Sequence, residues 1–124
     1  MDKKLILLID DSAASRKRFS EILVEAGYDV NEARGGIEMV PMLEKKTYDL
    51  IILDINMPEL SGFDTLRLIK ANPRWKGIPV FALTGVNKSL DDIHKLQDIG
   101  AAGFIDKDVD KNDFLFRIRT GLGG

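Results

Sequence analysis

The stretch LIILDINMPE, residues 50–59, places four consecutive apolar residues before a carboxylate, Asp54, and then a loop carrying Met57 and Pro58. An unbroken apolar run of this length suits a strand covered on both faces, because a half-exposed strand would alternate. Two other runs share its character, LILLI at 5–9 and IPVFAL at 78–83, and two weaker ones are YDVNEA at 28–33 and GFID at 103–106. Helical periodicity fills the intervals. Over 12–26, Phe19, Ile22, Leu23 and Ala26 fall on one face, and Gly27 follows as a stop. A second helix fits 36–45, where Pro41 removes an N–H and predicts a kink or a late start. A third fits 61–71, with Phe63, Leu66 and Ile69 inward and Asn72-Pro73 as terminator. A fourth fits 89–99, with Leu90, Ile93 and Leu96 inward and Gly100 as cap. A fifth fits 110–120, its inward stripe Phe114, Ile118 and Leu122, with Phe116 off that stripe. Strand and helix thus alternate five times. Crossovers between parallel strands are right-handed almost without exception, so the expected fold class is α/β, a five-stranded parallel sheet with helices on both faces.

The bulk numbers narrow the function. The chain has 124 residues, the size of one domain with one core, and 44% hydrophobic content fills such a core. A net charge of −2 argues against a nucleic-acid surface. There is no cysteine, which excludes disulfides and thiolate metal sites, and a single histidine, His94, builds no imidazole cluster. The opening MDKKLILLID ends its short apolar run in aspartates, as a strand does and a signal peptide does not. No apolar stretch reaches the roughly 18 residues of a membrane span. The expectation is a cytoplasmic domain covering 1–124, with no nucleic acid and no membrane among its partners.

In parallel sheets of this kind, ligands bind beyond the carboxyl ends of the strands. The first strand ends in Asp10-Asp11, the third in Asp54, the fourth in Thr84-Gly85, and Lys107 follows the fifth. Taken singly, each has an ordinary explanation: Asp11 or Ser12 as a helix N-cap, Asp54 as a turn residue, Thr84 as a strand-end hydroxyl, Lys107 as a solvated lysine. Their convergence on one rim changes the balance. Three neighbouring carboxylates raise one another's pKa. A hard divalent cation relieves that repulsion, and an all-oxygen set suits Mg²⁺. An ammonium and a hydroxyl beside such an ion can bind phosphoryl oxygens, and phosphoryl transfer needs positioning and charge neutralisation. Asp54, on the strand expected at the sheet's centre, is the natural nucleophile.

These residues also match a family. LLIDDSAASR, DLIILDINMPELSGFD, IPVFALTG and GAAGFIDKD occur in an order and spacing that resemble the receiver domain of two-component response regulators, over about 4–122. The resemblance implies a doubly wound, flavodoxin-like fold with strand order 2-1-3-4-5. It implies that Asp54 accepts a phosphoryl group from a phosphohistidine of a histidine kinase or histidine phosphotransfer protein. It implies Mg²⁺ held by Asp11, Asp54 and the backbone carbonyl of Asn56, with Asp10 acting through water. Lys107 and Thr84 would hold the phosphoryl oxygens. Thr84 and Phe104 would form a switch acting on the face made by the fourth helix, fifth strand and fifth helix, where an exposed Phe116 could meet a partner. Phe104 also reads as a plain core aromatic. Asn56 and Val86 occupy positions that gate water access to the phosphoaspartate in the family.

One departure stands out. The family usually has proline after the lysine, joined by a cis bond, whereas here Asp108 follows Lys107. A non-proline cis bond costs roughly 2.5–4 kcal/mol, so a trans bond and a rearranged loop are expected. Among other functions, a pseudo-receiver that binds proteins without phosphorylation keeps the fold, but the intact Asp10, Asp11, Asp54, Thr84 and Lys107 set argues against it. An aspartyl-phosphate phosphatase would want an acid two residues after the nucleophile, where Asn56 stands. A flavin protein would want a Ser/Thr/Gly-rich phosphate loop where DDSAAS places two carboxylates.

Overall fold

The computed structural model describes residues 3–57, 61–85 and 89–123. Pro58 and Val86 lie outside them. The elements are β1 (Leu5–Ile9), α1 (Ala13–Glu25), β2 (Asp29–Ala33), α2 (Gly36–Lys45), β3 (Leu50–Asp54), α3 (Gly62–Ala71), β4 (Val80–Thr84), α4 (Leu90–Ile99), β5 (Gly103–Asp106) and α5 (Lys111–Gly121). All strand pairs are parallel and the sheet order is β2-β1-β3-β4-β5. β3 is therefore central, and it is buried along its whole length.

Alternation along each strand divides the core in two. Leu7, Ile9, Ile51 and Leu53 face one layer with Met39, Leu66, Ile69 and Leu96 from α2, α3 and α4. Ile6, Leu8, Leu50 and Ile52 face the other with Phe19 and Leu23 of α1 and Phe114 and Ile118 of α5. This double burial is why β1 and β3 read as continuous apolar runs. Trp75 is buried in the turn before β4 and closes the first layer. His94 and Phe116 are exposed, as their helical phase predicts.

Three details differ from the sequence expectation. α2 has the expected bounds, Gly36–Lys45, and runs through Pro41, so the late start that Pro41 allows does not occur. Pro41 has no N–H to offer the Ile37 carbonyl, and both residues are exposed, so the lost helical bond costs little there. β4 starts at Val80, because Ile78 closes a turn onto the Trp75 carbonyl and Pro79 offers only its own carbonyl, which accepts from Ile51. Leu90 is 72% exposed. It is the first residue of α4, so an inward phase alone does not bury it.

Helix starts follow local chemistry. Ser12, Ser61, Ser89 and Asp110 each accept a backbone N–H of the first turn that follows. At α4 the capping is reciprocal: Asp92 N–H donates to the Ser89 hydroxyl, and Ser89 N–H donates to the Asp92 carboxylate. Ser89→Ala is expected to cost about 1 kcal/mol. The check is a lower urea midpoint with an unchanged slope.

Candidate functional site

The site lies beyond the carboxyl ends of β1, β3, β4 and β5. Backbone bonds continue past the strands into it. Asp10 N–H donates to the Ala33 carbonyl, Ile55 N–H to Leu83 and Lys107 N–H to Thr84. The rim is thus an extension of the sheet, and its side chains sit on fixed roots. Asp10 and Asp54 are buried, at 0% and 1% exposure, while Asp11 is exposed. A carboxylate oxygen from each of the three lies within 4.8 Å of the others. Lys107 Nζ stands 3.2 Å from Asp54 Oδ2 and 3.5 Å from Asp10 Oδ1.

The two buried carboxylates are held differently. Asp10 Oδ1 accepts from Ser12 N–H at 2.9 Å, Oδ2 accepts from the Ser15 hydroxyl, and its carbonyl accepts from Arg16 Nη1 at 2.7 Å. Among the described residues, Asp54 Oδ2 accepts from Lys107 Nζ and Oδ1 accepts from the Asn56 N–H at 3.0 Å. Burial, then the charge of Asp10, push the Asp54 carboxyl up to about 7, against the pull of Lys107 and Asn56 N–H. Among the described residues the cluster gathers three carboxylates, and the Lys107 ammonium pairs with two of them, Asp10 and Asp54. The cluster's donors are all oxygens, with one side open at Asp11. That set fits a hard divalent cation such as Mg²⁺.

Comparison with known proteins agrees. The family model of the response regulator receiver domain matches residues 6–119. The chain belongs to the receiver domain family. It is similar to the polar-differentiation response regulator DivK of Brucella anthropi, 27% identical over 120 residues, with 97% of each chain covered. It is also similar to the chemotaxis protein CheY4 of Vibrio cholerae, with a TM-score of 0.90 and 28% identity, covering 96% of this chain and 98% of that one. A third relative is the receiver domain of sensor histidine kinase PA1611 from Pseudomonas aeruginosa, whose structure has a magnesium ion in the active site cleft. Its TM-score is 0.89 at 25% identity, covering 99% of this chain and 100% of that one. Receiver domains are signalling regulators rather than enzymes in the usual sense. Among the described residues no helix is long and apolar enough to cross a membrane.

The remaining residues singled out from the sequence of this receiver domain are placed as follows. Asn56 is exposed and follows Asp54 by two residues at the mouth. Thr84 is 4% exposed, and its hydroxyl lies 3.2 Å from Asp106 Oδ1 and 3.4 Å from the Ile105 carbonyl, both on β5. Phe104 is half-buried against the α4 side of the core. The Lys107–Asp108 peptide is trans, and residues 106–109 form a turn closed by Val109 N–H donating to the Asp106 carbonyl at 3.0 Å. Ser15, Arg16 and Asp106 also touch the site: Ser15 and Arg16 bond Asp10, and Asp106 lies beside the Thr84 hydroxyl. Their contacts depend on where α1 and β5 come to lie, and no local pattern marks them.

Proposed function

We propose that this chain is a single phosphoacceptor receiver domain in which Asp54 takes a phosphoryl group from a phosphohistidine of a histidine kinase or histidine phosphotransfer protein. The observation that carries this reading is the juxtaposition of buried Asp54 with Asp10, Asp11 and the Lys107 ammonium at the end of the central strand. In the transfer, an Asp54 carboxylate oxygen forms a bond to phosphorus as the phosphorus–nitrogen bond breaks, and the imidazole leaves with the bonding electrons. Lys107, already 3.2 Å from the nucleophile, takes up charge on the phosphoryl oxygens. The Thr84 hydroxyl would exchange its β5 acceptors for a phosphoryl oxygen, and Phe104 would turn inward into the space that leaves. That exchange couples the site to the α4–β5–α5 face. Asp11, Asp54 and the Asn56 carbonyl would hold Mg²⁺, with Asp10 acting through water. Mg²⁺ supplies neutralisation of the carboxylates and of charge on the transferring group.

The test is intact mass after incubation with a small acyl phosphate, with Mg²⁺ or with a chelator. One phosphoryl group gained only with Mg²⁺ is expected. A folded protein that gains none under either condition would leave a phosphorylation-independent binding module.

A further inference from the structure

We propose that Arg18 is a positioning residue for Lys107, replacing by a side-chain clamp the restraint that proline after the lysine gives other receiver domains; this rests on the phosphoacceptor reading above. A lysine is a point charge on a flexible four-carbon stem, so its aim depends on how firmly its root is held. The Lys107 N–H is fixed by the Thr84 carbonyl at 2.9 Å. Its carbonyl accepts from Arg18 Nη1 at 2.6 Å, and the Val109 carbonyl accepts from Arg18 Nη2 at 2.6 Å. One guanidinium therefore spans two carbonyls of the turn at 106–109. The planar fork suits that task, and a single ammonium does not reproduce it.

The clamp has a firm base. The Arg18 guanidinium lies 4.7 Å from the centroid of Phe19. Phe19 is buried and packs on Phe114 with centroids 4.9 Å apart. Phe114 belongs to α5, the helix that follows the turn. Arg18 thus ties α1 to the turn, 89 residues along the chain from the lysine it holds, while its neighbour Phe19 packs α1 on α5. With Asp108 in a trans peptide, no ring restrains the turn from within.

The experiment compares the native chain, Arg18→Ala, Arg18→Lys, Lys107→Met and the Arg18→Ala/Lys107→Met double variant. Phosphoryl uptake from a small acyl phosphate and Mg²⁺ affinity are measured for each. Misplacement of a charge-stabilising group predicts uptake about tenfold slower in Arg18→Ala and an intermediate loss in Arg18→Lys. Mg²⁺ affinity should stay within about twofold, since Arg18 touches none of the carboxylates. In the Lys107→Met background the Arg18 effect should shrink to less than about twofold, because its route of action is gone. An unchanged rate in Arg18→Ala overturns the proposal, as does a tenfold loss that persists without Lys107 or a parallel loss of Mg²⁺ affinity. Amide exchange at Lys107 and Val109 reads the clamp independently of phosphorylation. It should quicken about tenfold in Arg18→Ala, and unchanged exchange overturns the clamp. A native chain that takes no phosphoryl group would instead refute the phosphoacceptor reading.

Discussion

Asp54→Asn is expected to lose phosphoryl uptake completely and, without metal, to be more stable than the native protein. The loss follows from chemistry: the amide has no carboxylate oxygen to bond phosphorus. The gain follows from electrostatics. Burial and Asp10 raise the Asp54 carboxyl from 3.8 to about 7 in the folded chain. A carboxyl whose pKa is higher folded than unfolded favours the fold while it is protonated. That contribution is complete below about pH 4 and disappears as the pH rises through about 7. The native metal-free protein should therefore weaken between those limits, and the variant should weaken less. At pH 8 the difference should be about 1–3 kcal/mol, less than the full shift because Lys107 loses a partner in the variant. At pH 4 the two should unfold alike. Adding Mg²⁺ should stabilise the native chain more than the variant and narrow the gap. Urea unfolding at pH 4 and pH 8, with and without Mg²⁺, checks each part. A variant less stable than the native chain at pH 8 without metal would show that the carboxylate cluster is not strained.

What the sequence reveals depends on how local the cause is. β1 and β3 are legible because both their faces are buried, so every residue of LILLI and LIIL is apolar. β2 is an edge strand with exposed positions, and only its pairing with β1 defines it fully. Leu90 shows the limit of periodicity, which gives the phase of a residue but not how far along its axis a helix stays covered. Asp10, Asp11, Asp54 and Lys107 are legible because a parallel sheet brings its strand ends to one rim, so neighbours in space can be inferred from strand boundaries. Arg18 is not legible in this way. It looks like one more charge on a helix, and its partners are carbonyls of a turn whose shape follows from the trans bond at Asp108. The departure from proline signals that some other restraint is needed, but not which residue supplies it.

Gly62 is a second feature without a readable signal in one sequence, and Gly62→Ala should be among the most damaging single-methyl additions in the chain. Gly62 opens α3 just after the Ser61 cap, and its N–H donates to the Ile55 carbonyl at 3.1 Å. A Cβ there would lie 2.3 Å from Ile55 Cα, 2.6 Å from the Asp54 carbonyl oxygen and 2.9 Å from the Ile55 carbonyl carbon. All three are backbone atoms, so no side chain can swing aside. Either α3 moves off the sheet or the peptide after Asp54 rotates. The first opens the layer that Leu66 and Ile69 fill, and the second displaces the nucleophile and its Asn56 N–H bond. Overpacking of this kind costs about 3 kcal/mol or more. Phosphoryl uptake should fall with stability, because the crowded backbone carries Asp54 itself. Gly77→Ala is the control: nothing lies within 4 Å of its Cβ position, and a surface change of that kind stays within about 0.5 kcal/mol. Equal unfolding midpoints for the two variants would mean that α3 does not approach β3 as closely as described. A Gly62→Ala protein that is destabilised yet takes up phosphoryl at the native rate would mean that α3 yields while Asp54 stays in place.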